Sequence, residues 1–161
     1  MIKIQGQFTD KRNKAYDEFV RKNRKASGPY VTVGVHEGAG QYESGVEVWK
    51  VALWNEFGVP KNHIPERSFI RSALDENTEK INGWRVELVG KIMDGLPIED
   101  ALDALGFRVQ QLIQNKIKSN VPPPNVAKVT SKKIRDGHEP QTLMDTKLML
   151  RSITFRRHVN D

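Results

Sequence analysis

The chain has no cysteine. That excludes a disulfide scaffold, a Cys-ligated zinc site, an iron–sulfur cluster and a cysteine nucleophile. Aromatic residues make up only 7%, too few for a platform that stacks unpaired bases. The four histidines, His36, His63, His138 and His158, are scattered, with no HxxxH or HxxEH spacing to converge on a metal. No apolar run approaches the roughly 18 residues of a membrane span. The opening Met1-Ile-Lys-Ile-Gln-Gly lacks the apolar stretch and cleavage site of a signal peptide. The expectation is a soluble protein made inside the cell, with no membrane partner. What is present is 161 residues, 37% hydrophobic and 29% charged. This is enough apolar material for a core, and it predicts one domain over 1–161.

Signatures of catalysis are also missing. There is no GxSxG elbow and no GxxxxGK[ST] loop, and Gly38-Ala-Gly40 lacks the third glycine of a dinucleotide fingerprint. Asp145-Thr146 begins like an aspartic-protease Asp-Thr-Gly, but Lys147 stands where that site needs glycine. Glu99, Asp100 and Asp103 fall in the first turns of a predicted helix, where the dipole favours acids. No enzyme activity, cofactor or metal is expected.

The net charge of +6 is unevenly placed. Residues 1–40 carry eight Lys and Arg against four Asp and Glu; residues 41–113 carry eight against twelve; residues 114–161 carry ten against four. A basic–acidic–basic order suits nucleic-acid binding by the two ends. It equally suits copies packing basic end against acidic middle, or simply solvated faces. In the first case Lys128, Lys132, Lys133 and Arg135 are the DNA-facing candidates.

Periodicity predicts a basic helix over 10–26 and a β-branched strand over 30–36. A glycine-rich flexible loop follows over 37–45, then a helix over 46–57 ending at Gly58. Residues 66–94 read as the longest helical stretch, with Gly83 a point where it could kink. Gly95-Leu-Pro97 separates it from a second helix over 98–119, whose stripe runs Ile98, Leu102, Leu105, Val109, Leu112, Ile113 and Ile117. The pair reads as an αα-hairpin. Pro122-Pro123-Pro124 opens an extended Pro-rich arm or loop over 120–142, with little core of its own. A short helix over 143–152, capped near Thr142 or Asp145, leads into a strand over 153–159. The predicted class is α+β: a small, mostly antiparallel sheet packed against two or three long helices.

Two segments then carry a family likeness. The first is Val51-Ala-Leu-Trp-Asn-Glu56-Phe57-Gly58 with Ile64-Pro65-Glu-Arg67-Ser-Phe69-Ile70-Arg71. The second is Leu143-Met-Asp145-Thr146-Lys-Leu-Met149-Leu150-Arg-Ser152-Ile153. Their order and spacing, with the Pro-rich stretch between, resemble the tail-completion or neck proteins of tailed bacteriophages, a group that includes virion morphogenesis and minor tail proteins. Ser68 stands where that family has proline, and Lys147 where it has glycine.

The resemblance implies a structural virion protein at the head–tail junction, assembled in the host cytoplasm. It would be a homo-oligomeric ring, a hexamer or dodecamer, touching the head–tail connector and a tail terminator or tail tube protein, with only nonspecific contact to passing genomic DNA. Interface candidates are Glu56, Phe57, Arg67, Phe69, Arg71, Asp145 and Thr146. From the residues alone, Phe69 and Ile70 also read as core. Arg67 and Arg71 also read as solvated or paired, for example with Asp75. Asp145 and Thr146 also read as a helix cap. The rival class is a nucleic-acid-binding protein using its basic N- and C-terminal regions.

Overall fold

The computed structural model describes residues 28–138, 140–144 and 147–159. The helix expected over 10–26 lies outside the described residues, as do Asp145 and Thr146. The fold is α+β. Its order is β1 (Tyr30–Val35), α1 (Val48–Phe57), a 3-10 turn (Pro60–Asn62), α2 (Ile70–Asp75), α3 (Thr78–Met93), α4 (Ile98–Lys118), α5 (Ala127–Arg135), α6 (Leu148–Arg151) and β2 (Ile153–His158).

The two strands, from opposite ends of the described chain, pair antiparallel from Tyr30↔His158 to Val35↔Ile153. Alternation sorts their side chains onto two faces. Val31, Val33, Ile153 and Phe155 pack against the core. Thr32 and Arg156 fall on the other face, where the Thr32 hydroxyl meets His158 Nε2 at 3.0 Å and His36 Nε2 at 3.1 Å.

Helix α4 is the spine of the molecule, lying against the sheet, α2 and α3. Leu105, Val109, Ile113 and Ile117 of the predicted stripe are buried, joined by Ala101. The approach to the sheet is closest at Gly106, where an added Cβ would stand 2.7 Å from the Phe155 ring and 2.8 Å from Val31 Cγ2. Glycine is required there for space, not for backbone freedom. Helix α3 joins α4 through the turn 94–97, burying Ile81 and Leu88. A fork from Arg108 to both oxygens of Glu87, at 2.8 and 3.2 Å, ties the two helices together.

The chain departs from its predicted elements in three places. The stretch 66–94 is not one helix: residues 66–69 are irregular, and the break falls at Glu76-Asn77, not at Gly83. Asn77 Nδ2 donates to Ala73 O at 2.9 Å, and the Thr78 hydroxyl bonds the Leu74 and Asp75 carbonyls. These side chains take up the carbonyls on which a continuous helix would depend.

The arm 120–142 is not extended throughout, because between Pro124 and Gly137 nothing opposes a helix and α5 forms over nine residues. No residue of α5 is buried, and Gly137 at φ 74° closes its end. The base of the arm is pinned where Thr142, 1% exposed, donates its hydroxyl to Val121 O at 2.8 Å and sits 2.9 Å from Asn120 Oδ1.

Finally, the helix expected over 143–152 shrinks to the four residues of α6. Leu143 and Lys147 occupy left-handed backbone, φ 62° and 57°, which an α-helix cannot contain. Lys147 thus holds a conformation that glycine adopts without strain.

Candidate functional site

The residues of the first motif assemble into one joint between α1 and α2. Helix α2 starts at Ile70 with Phe69 at its cap, and no side chain at that position satisfies its first backbone N–H groups. Glu56, in the last turn of α1, reaches across to do so. Its Oε2 accepts from Phe69 N and Ile70 N, each at 2.9 Å. Its Oε1 accepts from Arg71 N at 2.9 Å, Ser68 Oγ at 2.9 Å and Arg71 Nε at 3.1 Å. The carboxylate is 4% exposed, so its charge is stabilised by oriented N–H dipoles and one guanidinium in place of water. With donors at both oxygens it is a structural anchor, not a proton acceptor for a substrate.

Arg71 closes the joint from outside. Its second terminal nitrogen donates to the Glu56 carbonyl and to Glu66 Oε1, both at 2.7 Å. Hydrogen bonding to Glu56, with a smaller part from Glu66, raises Arg71 above the ordinary arginine pKa. Its acid partners are therefore Glu56 and Glu66, not Asp75. The same guanidinium stands 4.6 Å from the centre of the Phe57 ring. Gly58 then turns the chain away at φ 71°, with no room for a Cβ beside Glu66 N at 2.9 Å.

The expected interface residues that are described separate into four kinds of place. Phe69 is fully buried and belongs to the core, so it acts by packing. Glu56 and Arg71 hold the joint. Phe57, 57% exposed, presents most of its ring to the outside. Arg67 does something different: it crosses to the arm, donating from Nε to Pro123 O at 3.0 Å and from a terminal nitrogen to Asn125 Oδ1 at 3.3 Å. Both acceptors are neutral, and burial lowers the Arg67 pKa from its ordinary value. Ser68 adds a donor to Glu56 Oε1 at 2.9 Å. Its hydroxyl also accepts from Ser72 N at 3.3 Å, and only this second contact was signalled by the preference of serine for helix starts.

A cleft of about 350 Å³ opens beside Arg67, between α1, the loop before it, the arm and α6. Val51, Trp54, Leu148 and Met149 give it apolar walls, and Lys133 and Lys147 join Arg67 at its edge. Sequence reading did not assemble this site, because its walls come from four separate segments.

Of the DNA-facing candidates, Lys128, Lys132 and Arg135 share one exposed side of α5 at i, i+4 and i+7, while Lys133 turns to the cleft. The other side of α5 shows Val126 (68% exposed), Val129 and Ile134. Among the described residues no group of three or more His, Asp or Glu could hold a metal ion, and no helix is long and apolar enough to cross a membrane.

No family model, curated protein or solved structure matches the chain.

Proposed function

We propose that this protein is a structural subunit of a phage virion, a ring-forming tail-completion or neck protein at the head–tail junction. The observation that carries the reading is the joint itself. Glu56, Phe57, Arg67, Phe69 and Arg71, the residues that bear the family likeness, form one connected unit, and Arg67 extends it to the Pro-rich arm. In this chain these residues act together, setting the angle between α1 and α2 and holding the arm in place. The surface gives further support. Phe57, Phe107, Val126 and Ile134 are each more than half exposed, a set of large apolar groups suited to burial between subunits.

Mass spectrometry of purified virions tests the reading, paired with a gene deletion. The expected result is the protein in particles, and filled heads with separate tails when it is deleted. Intact infectious particles made without it overturn the proposal.

A second reading rests on the basic side of α5. Lys128, Lys132 and Arg135 are spaced to follow phosphates. On that reading, duplex DNA binds with an affinity that falls steeply with salt, and the triple Lys128→Ala, Lys132→Ala, Arg135→Ala variant lowers the slope. Gel-shift titration at two salt concentrations decides it.

A further inference from the structure

We propose that His36 and His158, which meet on the Thr32 hydroxyl, make the β1–β2 ladder a proton-sensitive clasp that opens locally as the two rings become charged. The clasp stands whether or not copies of the chain form a ring.

The clasp lies on the face of the sheet opposite Val31, Val33, Ile153 and Phe155. His36 directly follows β1, and His158 is the last residue of β2. Gly34 separates Thr32 from His36 on that face and places no side chain between them. Both imidazoles reach one oxygen: Thr32 Oγ1 stands 3.1 Å from His36 Nε2 and 3.0 Å from His158 Nε2. The other ring nitrogen of His36, Nδ1, stands 3.1 Å from Thr154 Oγ1 on the opposite strand. The His158 ring stacks on Tyr30, with centroids 4.5 Å apart.

A hydroxyl has one proton to donate and lone pairs with which to accept. While both rings are neutral, one Nε2 donates to Thr32 and the other accepts the Thr32 proton. A charged imidazole donates from both nitrogens. With both rings charged, two N–H groups therefore point at the same oxygen. The Thr32 proton is then left with Arg156 O, at the longer distance of 3.4 Å.

Charge opposes the doubly protonated state as well. Among the described residues, Arg156, Tyr30 and Glu37 are the charged or titratable groups that the strands and the following loop bring to the pair. Glu37 offers its backbone carbonyl, which accepts from Arg156 Nη2 at 3.0 Å. Burial, then the Arg156 charge, then His158, hold His36 below the ordinary histidine value of 6.5. A base depressed in the folded state adds stability above its unfolded value and loses it as pH falls through the folded one. His158 belongs to β2 while Thr32 and His36 belong to the β1 side, so parting the strands relieves the strain without unfolding α4.

Hydrogen–deuterium exchange of the full chain tests the clasp, read on peptides covering 30–36 and 153–159 and corrected for the intrinsic effect of pH. Between about pH 7.5 and 5.5, a span across the ordinary histidine value, protection of these peptides should fall about tenfold or more while that of α4 holds. His36→Gln keeps a polar side chain that cannot charge, and should reduce the fall to about threefold or less. His158→Phe keeps a ring against Tyr30 and removes one charge, so the His36 ring protons should titrate by NMR at a higher pH than in the wild type. Circular dichroism confirms that each variant is folded. A wild-type ladder whose corrected protection does not change with pH overturns the proposal without any variant. An equal fall in His36→Gln, or a His36 midpoint that stays in place in His158→Phe, overturns it too.

Discussion

Glu56 puts a negative charge where three successive backbone N–H groups would otherwise have no acceptor. Helix starts are ordinarily satisfied by a Ser, Thr, Asp or Asn of their own. Here Phe69 occupies the cap position and is needed in the core, so the acceptor comes from another helix. Removing a buried carboxylate in this setting leaves three backbone amides and Arg71 Nε without an acceptor, although Arg71 keeps the Glu56 carbonyl and Glu66. Glu56→Ala is expected to lower the unfolding free energy by about 3–5 kcal/mol, measured by urea denaturation. Glu56→Gln should recover less than half of that loss, because the amide NH₂ must face a donor whichever way it is turned. A cost below about 1 kcal/mol for Glu56→Ala would show that the joint does not depend on this charge. Sequence reading found Glu56 as part of a motif but not its role, because a cap offered across 13 residues leaves no local pattern.

At the scale of elements, periodicity served where one helix or strand meets the core along its whole length. The stripe of α4 is present as read, with Leu105, Val109, Ile113 and Ile117 buried. Periodicity failed where a few residues override it. Asn77 and Thr78 cut α3 from α2 through carbonyl bonds that no apolar spacing reveals. Left-handed Leu143 and Lys147 shorten α6 in the same way. The glycines of the long helices give a test of opposite signs. At Gly106 the gain in helix propensity is outweighed by the clash with Phe155 and Val31, and Gly106→Ala should destabilise by about 1–3 kcal/mol. At Gly90 of α3 nothing lies within 4 Å of an added Cβ, and Gly90→Ala should stabilise by about 0.5–1 kcal/mol. Thermal melts of the two variants should therefore move in opposite directions.

The α3–α4 pair also carries a pH signature. Arg108, and to a lesser extent Lys91, hold Glu87 down to about 2, against an ordinary value of 4.5. A carboxylate depressed in the folded state adds stability above the unfolded value and loses it as pH falls toward the folded one. Glu87→Gln should melt below the wild type at pH 7, and the gap should close between pH 4.5 and 2. It should also narrow in high salt, since the pair is exposed. A gap that persists at pH 2 would assign the effect to packing.

Over the whole molecule, the uneven charge was visible in the sequence, but its spatial meaning was not. Arg67 belongs by sequence to the acidic middle, yet it lies beside Lys133 and Lys147 from the basic end. The fold thus gathers positive charge at one cleft, while Asp94 and Asp100 remain on a turn built from other elements. The segment totals could not show this gathering, because Arg67 and the two lysines are far apart along the chain.

The buried hydroxyl of Thr142 holds the two ends of the arm together at Val121. The chain therefore leaves the core and returns to it at a single point, and everything between is a closed lobe. Outside Pro123, Asn125 and Lys133, which face Arg67 or the cleft, its length can change without shifting the register of β2 or the spine of α4. An insertion in this lobe is therefore expected to leave the pairing of β1 with β2 and the packing of α4 as they are.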